Sequence, residues 1–169
     1  GSMDIQVKVL REGKSATQVQ ATAFQNDSVV AVVLASFGGD RESAVRVESG
    51  PAPEFQDMNE IQEFPFIPGL TPGFTQHFDY RYCLGKMPFM GSEENHMGGW
   101  IRLREEVESP ATVAEILALL DAWPPATFSK LKKPAAGSSL TWTVSFIGLT
   151  DASARDWWQY KTSIESSDN

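Results

Sequence analysis

A chain of 169 residues suits one domain, or one and a fraction, and burying roughly 70% of its unfolded surface would give a sizeable core. Its net charge of −8 excludes a general nucleic-acid binder, because neutralising phosphates dominates that affinity, and its one cysteine, Cys83, excludes an intrachain disulfide and a thiol pair for zinc or redox work. The longest apolar run, Val29 to Phe37, is too short to cross a bilayer and no signal peptide precedes it, so the sequence reads as cytoplasmic, with no membrane contact.

Gly1-Ser2-Met3 reads as an expression scar. From Asp4 to Leu10, Ile5, Val7 and Val9 alternate with Gln6 and Lys8, which predicts a half-buried strand ending at a turn around Gly13. Ala16 to Phe24 alternates in the same way, and Gln25-Asn26-Asp27-Ser28 supplies the next turn. Val29 to Phe37 is continuously apolar apart from Ser36, which predicts a central strand. These three strands form an antiparallel meander closed by Gly38-Gly39.

Residues 40 to 73 carry neither period. They are charged first and then rich in proline and phenylalanine, so they read as a connector laid over a surface, with Phe55, Phe64 and Phe66 as anchors. Phe74 to Leu84 resumes a strand, with His77, Asp79 and Arg81 on one side and Phe78, Tyr80 and Tyr82 on the other. His77 and Asp79 have no third ligand at a recognised metal spacing. Met87 to Met97 is an adaptable, methionine-rich loop suited to bordering a pocket. Trp100 to Arg104 is another strand, with Arg102 and Arg104 on its exposed face, and Cys83 reads as a buried strand thiol.

The segment Ser109 to Trp123 organises the rest. Ser109 reads as the N-cap and Pro110 as the first helical residue, while Pro124-Pro125 stops the helix. Val113, Ile116, Leu117, Leu119 and Leu120 spread round most of its circumference, so a curved sheet wrapped about it is the expected cover. Asp121 stands in the last turn, where the helix dipole disfavours an anion. On position alone it is either a solvated end residue or a functional acid of raised pKa. Residues 128 to 136 form a linker whose Lys130, Lys132 and Lys133 either meet phosphates or lie solvated. Ser138 to Leu149 predicts a long strand with Leu140, Trp142, Val144 and Phe146 on one face, and Trp157 to Ile164 predicts the last one. No Gly-x-Ser-x-Gly elbow and no phosphate-binding glycine loop occurs.

Three stretches in succession, Gly98-Gly99-Trp100-Ile101-Arg102-Leu103-Arg104, Leu119-Leu120-Asp121-Ala122-Trp123-Pro124-Pro125 and Ser139-Leu140-Thr141-Trp142-Thr143-Val144-Ser145-Phe146, resemble the second half of the double-hotdog acyl-CoA thioesterases, the thioesterase II-like superfamily. Val7 to Ser15, continuing through Ala35-Ser36-Phe37, is similar to the closing strands of that family's first hotdog. The resemblance implies an α+β hotdog fold: residues 4–38 as the end of a first hotdog, 39–73 as linker and 74–169 as a second hotdog without its final strands. It further implies hydrolysis of an acyl-CoA thioester by activated water, without covalent intermediate or cofactor, in a homodimer or higher assembly.

Members use an Asp, a Thr or Ser, and a Gln. By position the Asp is Asp121, which turns that residue from a solvated end into a functional acid, and the hydroxyl is that of Ser139. The resemblance also assigns Gly98, Gly99, Trp100, Trp123, Thr141, Lys132 and Lys133 to the substrate. Relative to the family pattern, the first strand and helix are missing before Asp4 and the last two strands after Asn169. By the pseudo-symmetry of the double fold, Ala16–Phe24 and Val29–Phe37 correspond to those last strands. The expectation is therefore a circularly permuted single hotdog, or exchange of these strands in a homodimer, with the position of the catalytic Gln near Ala35. Alanine carries no amide, which keeps a non-catalytic module binding acyl-CoA or another hydrophobic ligand as the alternative.

Overall fold

A computed structural model describes residues 2–47, 50–107, 109–148 and 151–167. The chain divides into two compact units, Gly1–Pro51 and Ala52–Asn169.

The first unit is a three-stranded antiparallel sheet of β1 (Asp4–Glu12), β2 (Ala16–Gln25) and β3 (Ser28–Gly38), in that order. The hairpin between β2 and β3 turns on Asn26 and Asp27, whose φ angles of 49° and 59° match the two-residue turn that follows strand twist. The meander is as expected, but β3 is an edge strand rather than a central one. Val29, Leu34 and Phe37 are 57%, 71% and 61% exposed. An unbroken apolar run reports that both faces of a strand are greasy. Position in the sheet comes from the short hairpins, which pair consecutive strands and leave the second in the middle.

In the second unit β4 (Phe78–Leu84), β5 (His96–Leu103) and β6 (Trp158–Ser163) form another antiparallel sheet with β5 central. A 3-10 turn, Gly73–His77, occupies the expected start of β4, so His77 and Asp79 do not share a strand face. Phe64 pairs its backbone with Tyr80 and sets its ring edge-on to Tyr82, and Phe55 does the same to Trp100. Two of the three expected anchors thus hold the connector. Because the ladders close within each group of three strands, the described residues form two separate sheets rather than one continuous permuted sheet.

The helix α1 runs from Val113 to Ala122, three residues shorter at its start than expected. Its N-cap is Thr112, not Ser109. Thr112 Oγ1 accepts from the Glu115 amide at 3.2 Å, and the Glu115 carboxylate accepts from the Thr112 amide at 2.7 Å. This Thr-x-x-Glu capping box satisfies two orphan donors at once, so it outcompetes Ser109, whose hydroxyl instead donates to Asp151 O at 3.3 Å. The two hydrogen bonds from Thr112 hold the Glu115 carboxyl below its ordinary range. Thr112→Ala is expected to lower unfolding free energy by about 1 kcal/mol in urea titration, whereas Ser109→Ala stays within roughly 0.5 kcal/mol.

The helix rests on the sheet through Leu119 and Ala122, followed by Trp123, all buried beside Tyr80, Met97, Ile101 and Leu103. Its other side is less deeply covered by the described residues. Val113 is 47% exposed and Ile116, Leu117 and Leu120 are half-buried. The strand expected over Ser138–Leu149 would have supplied cover, but residues 138–148 form neither strand nor helix and are almost all exposed, and Leu149 lies outside the described residues. After α1 the chain makes one further turn of helix, α2 (Thr127–Lys130), overlapping the start of the linker expected over 128–136.

Candidate active site

The C-terminal end of α1 meets β4, β5 and β6 through Trp123. Pro124 biases its predecessor toward extended backbone, so Trp123 leaves the helix with ψ 130° and drives its indole into the sheet. The ring stacks on Tyr160 at 5.0 Å and 17°, lies 4.9 Å from Tyr82 and 6.1 Å from Tyr80. Tyr80 Oη donates to the Ala122 carbonyl at 3.0 Å, satisfying an acceptor at the helix end. Burial pushes the phenol groups of Tyr80, Tyr82 and Tyr160 to resist ionisation. The buried indole Nε1 of Trp123 has no hydrogen-bond partner among the described residues.

Gly98 and Gly99 exist in β5 because of this packing. A Cβ on Gly99 would lie 1.9 Å from the Arg81 carbonyl oxygen and 3.0 Å from the Trp123 ring, and one on Gly98 would lie 2.5 Å from the Tyr160 carbonyl oxygen. Only glycine lets the strands and the indole close to these distances.

Asp121, two residues before Trp123, is exposed, with its charge acting on Tyr160. After burial, that carboxylate is the second cause of the raised Tyr160 pKa. The carboxylate is accessible, and its charge reaches the Tyr160 phenol. Such a group can orient or deprotonate water without first being released from an ion pair.

Other residues expected at the site are elsewhere. Ser139 and Thr141 lie in the exposed irregular stretch, and no hydrogen bond joins Asp121 to Ser139. Lys132 and Lys133 are exposed, with the Lys132 stem laid against Gly91. Lys130 donates to the Glu93 carbonyl at 3.2 Å and lines a groove of about 450 Å³ together with Asn95, Thr127, Ile164 and Glu165. Ala35, in β3, pairs with Val19.

Trp100 is on the sheet face opposite Trp123. It lines a groove of about 610 Å³ with Phe55, Met58, Arg102, Arg155 and Trp157. On that face Asp79, buried at 5% exposure, accepts from Arg102 Nε at 2.9 Å and Arg104 Nε at 2.8 Å. The two arginines expected as a free exposed face therefore clamp a carboxylate. Arg81 and Arg102 also set their guanidinium carbons 4.7 Å and 4.5 Å from the Trp157 ring centroid. His77 Nδ1 meets Glu105 Oε1 at 2.5 Å, away from Asp79. Burial raises the Cys83 thiol pKa, against the low value a nucleophile needs.

Sequence reasoning missed Tyr160 as the neighbour of Asp121. The signal was present: Trp158, Tyr160 and Thr162 alternate along β6 on the half-buried face, the face that meets the helix.

Residues 52–169 match the family model described as the acyl-CoA thioesterase C-terminal domain, and residues 1–38 that of the acyl-CoA thioesterase N-terminal domain. No curated protein is significantly similar in sequence. Among solved structures, the chain is similar to a putative thioesterase from Novosphingobium aromaticivorans, with TM-score 0.70 and 19% identity over 99% of this chain and 62% of that one. A tesB protein of Mycobacterium avium subs paratuberculosis gives TM-score 0.68 and 20% identity over 99% of this chain and 60% of that one. A hot dog fold protein of unknown function from Alicyclobacillus acidocaldarius gives TM-score 0.64 and 24% identity over 78% of this chain and 48% of that one. These likenesses show the fold, the α+β hotdog that the sequence led us to expect. The chain spans between 48% and 62% of the length of these structures.

Proposed function

This chain belongs to the acyl-CoA thioesterase family, and from that premise we propose that it hydrolyses an acyl-CoA thioester with activated water and no covalent intermediate. The observation that carries the reading is the exposed carboxylate of Asp121 in the last turn of α1, whose charge acts on Tyr160. In this reading Asp121 is the base that orients and deprotonates water. Ser139 holds that water once residues 138–148 are ordered around the substrate. The acyl chain lies along the less deeply covered apolar side of α1, over Val113, Ile116, Leu117 and Leu120, and Lys132 and Lys133 meet the phosphates of coenzyme A. Trp123 and the two glycines shape the floor, with Trp100 and Thr141 as further contacts. The working form is a homodimer or higher hotdog assembly acting in the cytoplasm.

Thiol release from acyl-CoAs of graded chain length tests the reading. Asp121→Asn keeps the shape and removes the base, so its rate should fall about 100-fold. Equal rates for the two proteins remove Asp121 from the mechanism. A second reading, a non-catalytic module that binds acyl-CoA, is favoured by two observations: Ala35 offers no amide, and Ser139 makes no hydrogen bond to Asp121. Thermal stabilisation by acyl-CoA with no thiol release at any length would select it.

A further inference from the structure

The register of β4, β5 and β6 sets one row of residues across the sheet face that meets α1: Tyr82 lies opposite Gly99, and Gly99 lies opposite Tyr160. With no side chain in the middle of the row, the Trp123 ring drops between the two phenol rings, 4.9 Å from Tyr82 and 5.0 Å from Tyr160. The Tyr80 hydroxyl is occupied by the Ala122 carbonyl. That of Tyr160 is not. The enclosed side-chain polar atoms without a partner among the described residues are Arg81 Nε and Trp123 Nε1. Tyr160 Oη has no partner among them either, and it is not enclosed, so a ring fixed by stacking holds a donor open to solvent. Asp121 tells the two flanking phenols apart. Trp123, against which the Tyr160 ring lies at 17°, follows Asp121 by two positions. The Asp121 charge acts on Tyr160, whereas the cause at Tyr82 is burial.

Hydrolysis of a thioester by water makes two demands that one carboxylate cannot meet together. A base takes the proton of the water, and a donor meets the negative charge that gathers on the carbonyl oxygen. Burial and the Asp121 charge keep the Tyr160 phenol protonated at neutral pH, so it can donate. We infer that Tyr160 is a catalytic residue whose Oη donates a hydrogen bond to the thioester carbonyl oxygen beside Asp121, a bond that strengthens as this oxygen becomes an oxyanion. As the water oxygen bonds to the carbonyl carbon, its proton passes to Asp121 and the π pair moves onto the oxygen held by Tyr160, which keeps its own proton. The pair then returns and the C–S bond breaks. Its electrons leave on the coenzyme A sulfur, which takes the proton from Asp121, and the acyl group departs as the carboxylic acid. The inference rests on the hydrolase reading and adds to it the group that stabilises the developing charge.

Thiol release measured from limiting to saturating acyl-CoA separates the failure of this inference from the failure of that reading. Tyr160→Phe keeps the stacked ring and removes a hydroxyl without a partner, so its thermal midpoint and near-ultraviolet circular dichroism should match the parent. Its kcat should fall roughly 100-fold with KM changed less than about twofold, the mark of a contact made in the transition state. Tyr82→Phe removes the other phenol from the same stack and should keep the parent kcat. If the midpoint of Tyr160→Phe falls, 3-fluorotyrosine in place of Tyr160 carries the test. This more acidic phenol should move the alkaline loss of kcat to lower pH, because the group donates only while protonated, and an unmoved limb overturns the inference. A parent that releases thiol beside a Tyr160→Phe variant of equal kcat overturns the inference and leaves the hydrolase reading standing. An equal loss in both phenylalanine variants does the same, since it marks the stack rather than the hydroxyl. A parent that releases no thiol from any acyl-CoA overturns the reading itself, and the inference with it.

Discussion

Replacing Trp123 with alanine is expected to lower the unfolding free energy by about 3–5 kcal/mol, the range for deleting a buried tryptophan where the surroundings cannot collapse. Collapse is blocked on every side. Tyr80 and Tyr82 in β4 and Tyr160 in β6 are aromatic plates fixed in two separate strands, and the floor is Gly99 in β5, whose missing side chain cannot refill the space. The indole is 3% exposed, so nearly all of its area returns to water on unfolding. Trp123→Phe should recover about half of the loss, because it keeps a ring in the stack and removes the indole Nε1 donor, which has no partner among the described residues. Urea unfolding monitored by far-ultraviolet circular dichroism measures both variants. A loss below about 1 kcal/mol for the alanine would mean that α1 is not anchored to the sheet by this residue. The same substitution should loosen the helix end that carries Asp121, so its effect on thiol release has to be compared at equal folded fraction.

The alternation in residues 4–10, 16–24 and 74–84 made β1, β2 and β4 legible, with β4 starting four residues later than expected, because a period of two maps straight onto the two faces of a strand. The α1 segment was legible as a buried-type helix from its apolar circumference, but its start was not. Ser109-Pro110 looks like a start in isolation, and the reciprocal Thr112–Glu115 box competes with it only through hydrogen bonds seen once both groups are placed. The edge position of β3 was illegible for a related reason: hydrophobicity reports solvent preference, while sheet order is a property of connections. Ser138–Leu149 had the right period and still lacks a ladder, since a strand needs a neighbour as well as a pattern. Asp121 stands out by its place at the negative end of a helix dipole, which on position alone reads as a solvated end, and only the family resemblance makes it a candidate acid. Asp79 was noticed only beside His77 and set aside, because its two arginine partners are 23 and 25 residues away in sequence.

That overlooked carboxylate should set the acid limit of the fold. Burial alone would raise the pKa of Asp79, but the hydrogen bonds from Arg104 and Arg102, with the charges of both guanidinium groups, outweigh it and hold the carboxyl below its ordinary 3.8. A group whose pKa is depressed on folding contributes stability that is fully present above the unfolded value, near 4, and is lost as pH falls through the lower folded value. Asp79→Asn should therefore cost about 3 kcal/mol at neutral pH, the lower end for one partner removed from a buried ion pair, because Arg102 and Arg104 keep 30% and 43% of their side-chain exposure and can turn partly to water. As pH falls through that depressed folded pKa the parent loses the same interaction by protonation, so the two stability curves should converge at the acid end. Losing a single arginine should cost less, since the other remains against the carboxylate. Urea midpoints of parent and variant between pH 2 and pH 8 measure the gap directly. A gap that stays constant across that range would show that Asp79 acts through shape and hydrogen bonding alone, with its charge playing no part.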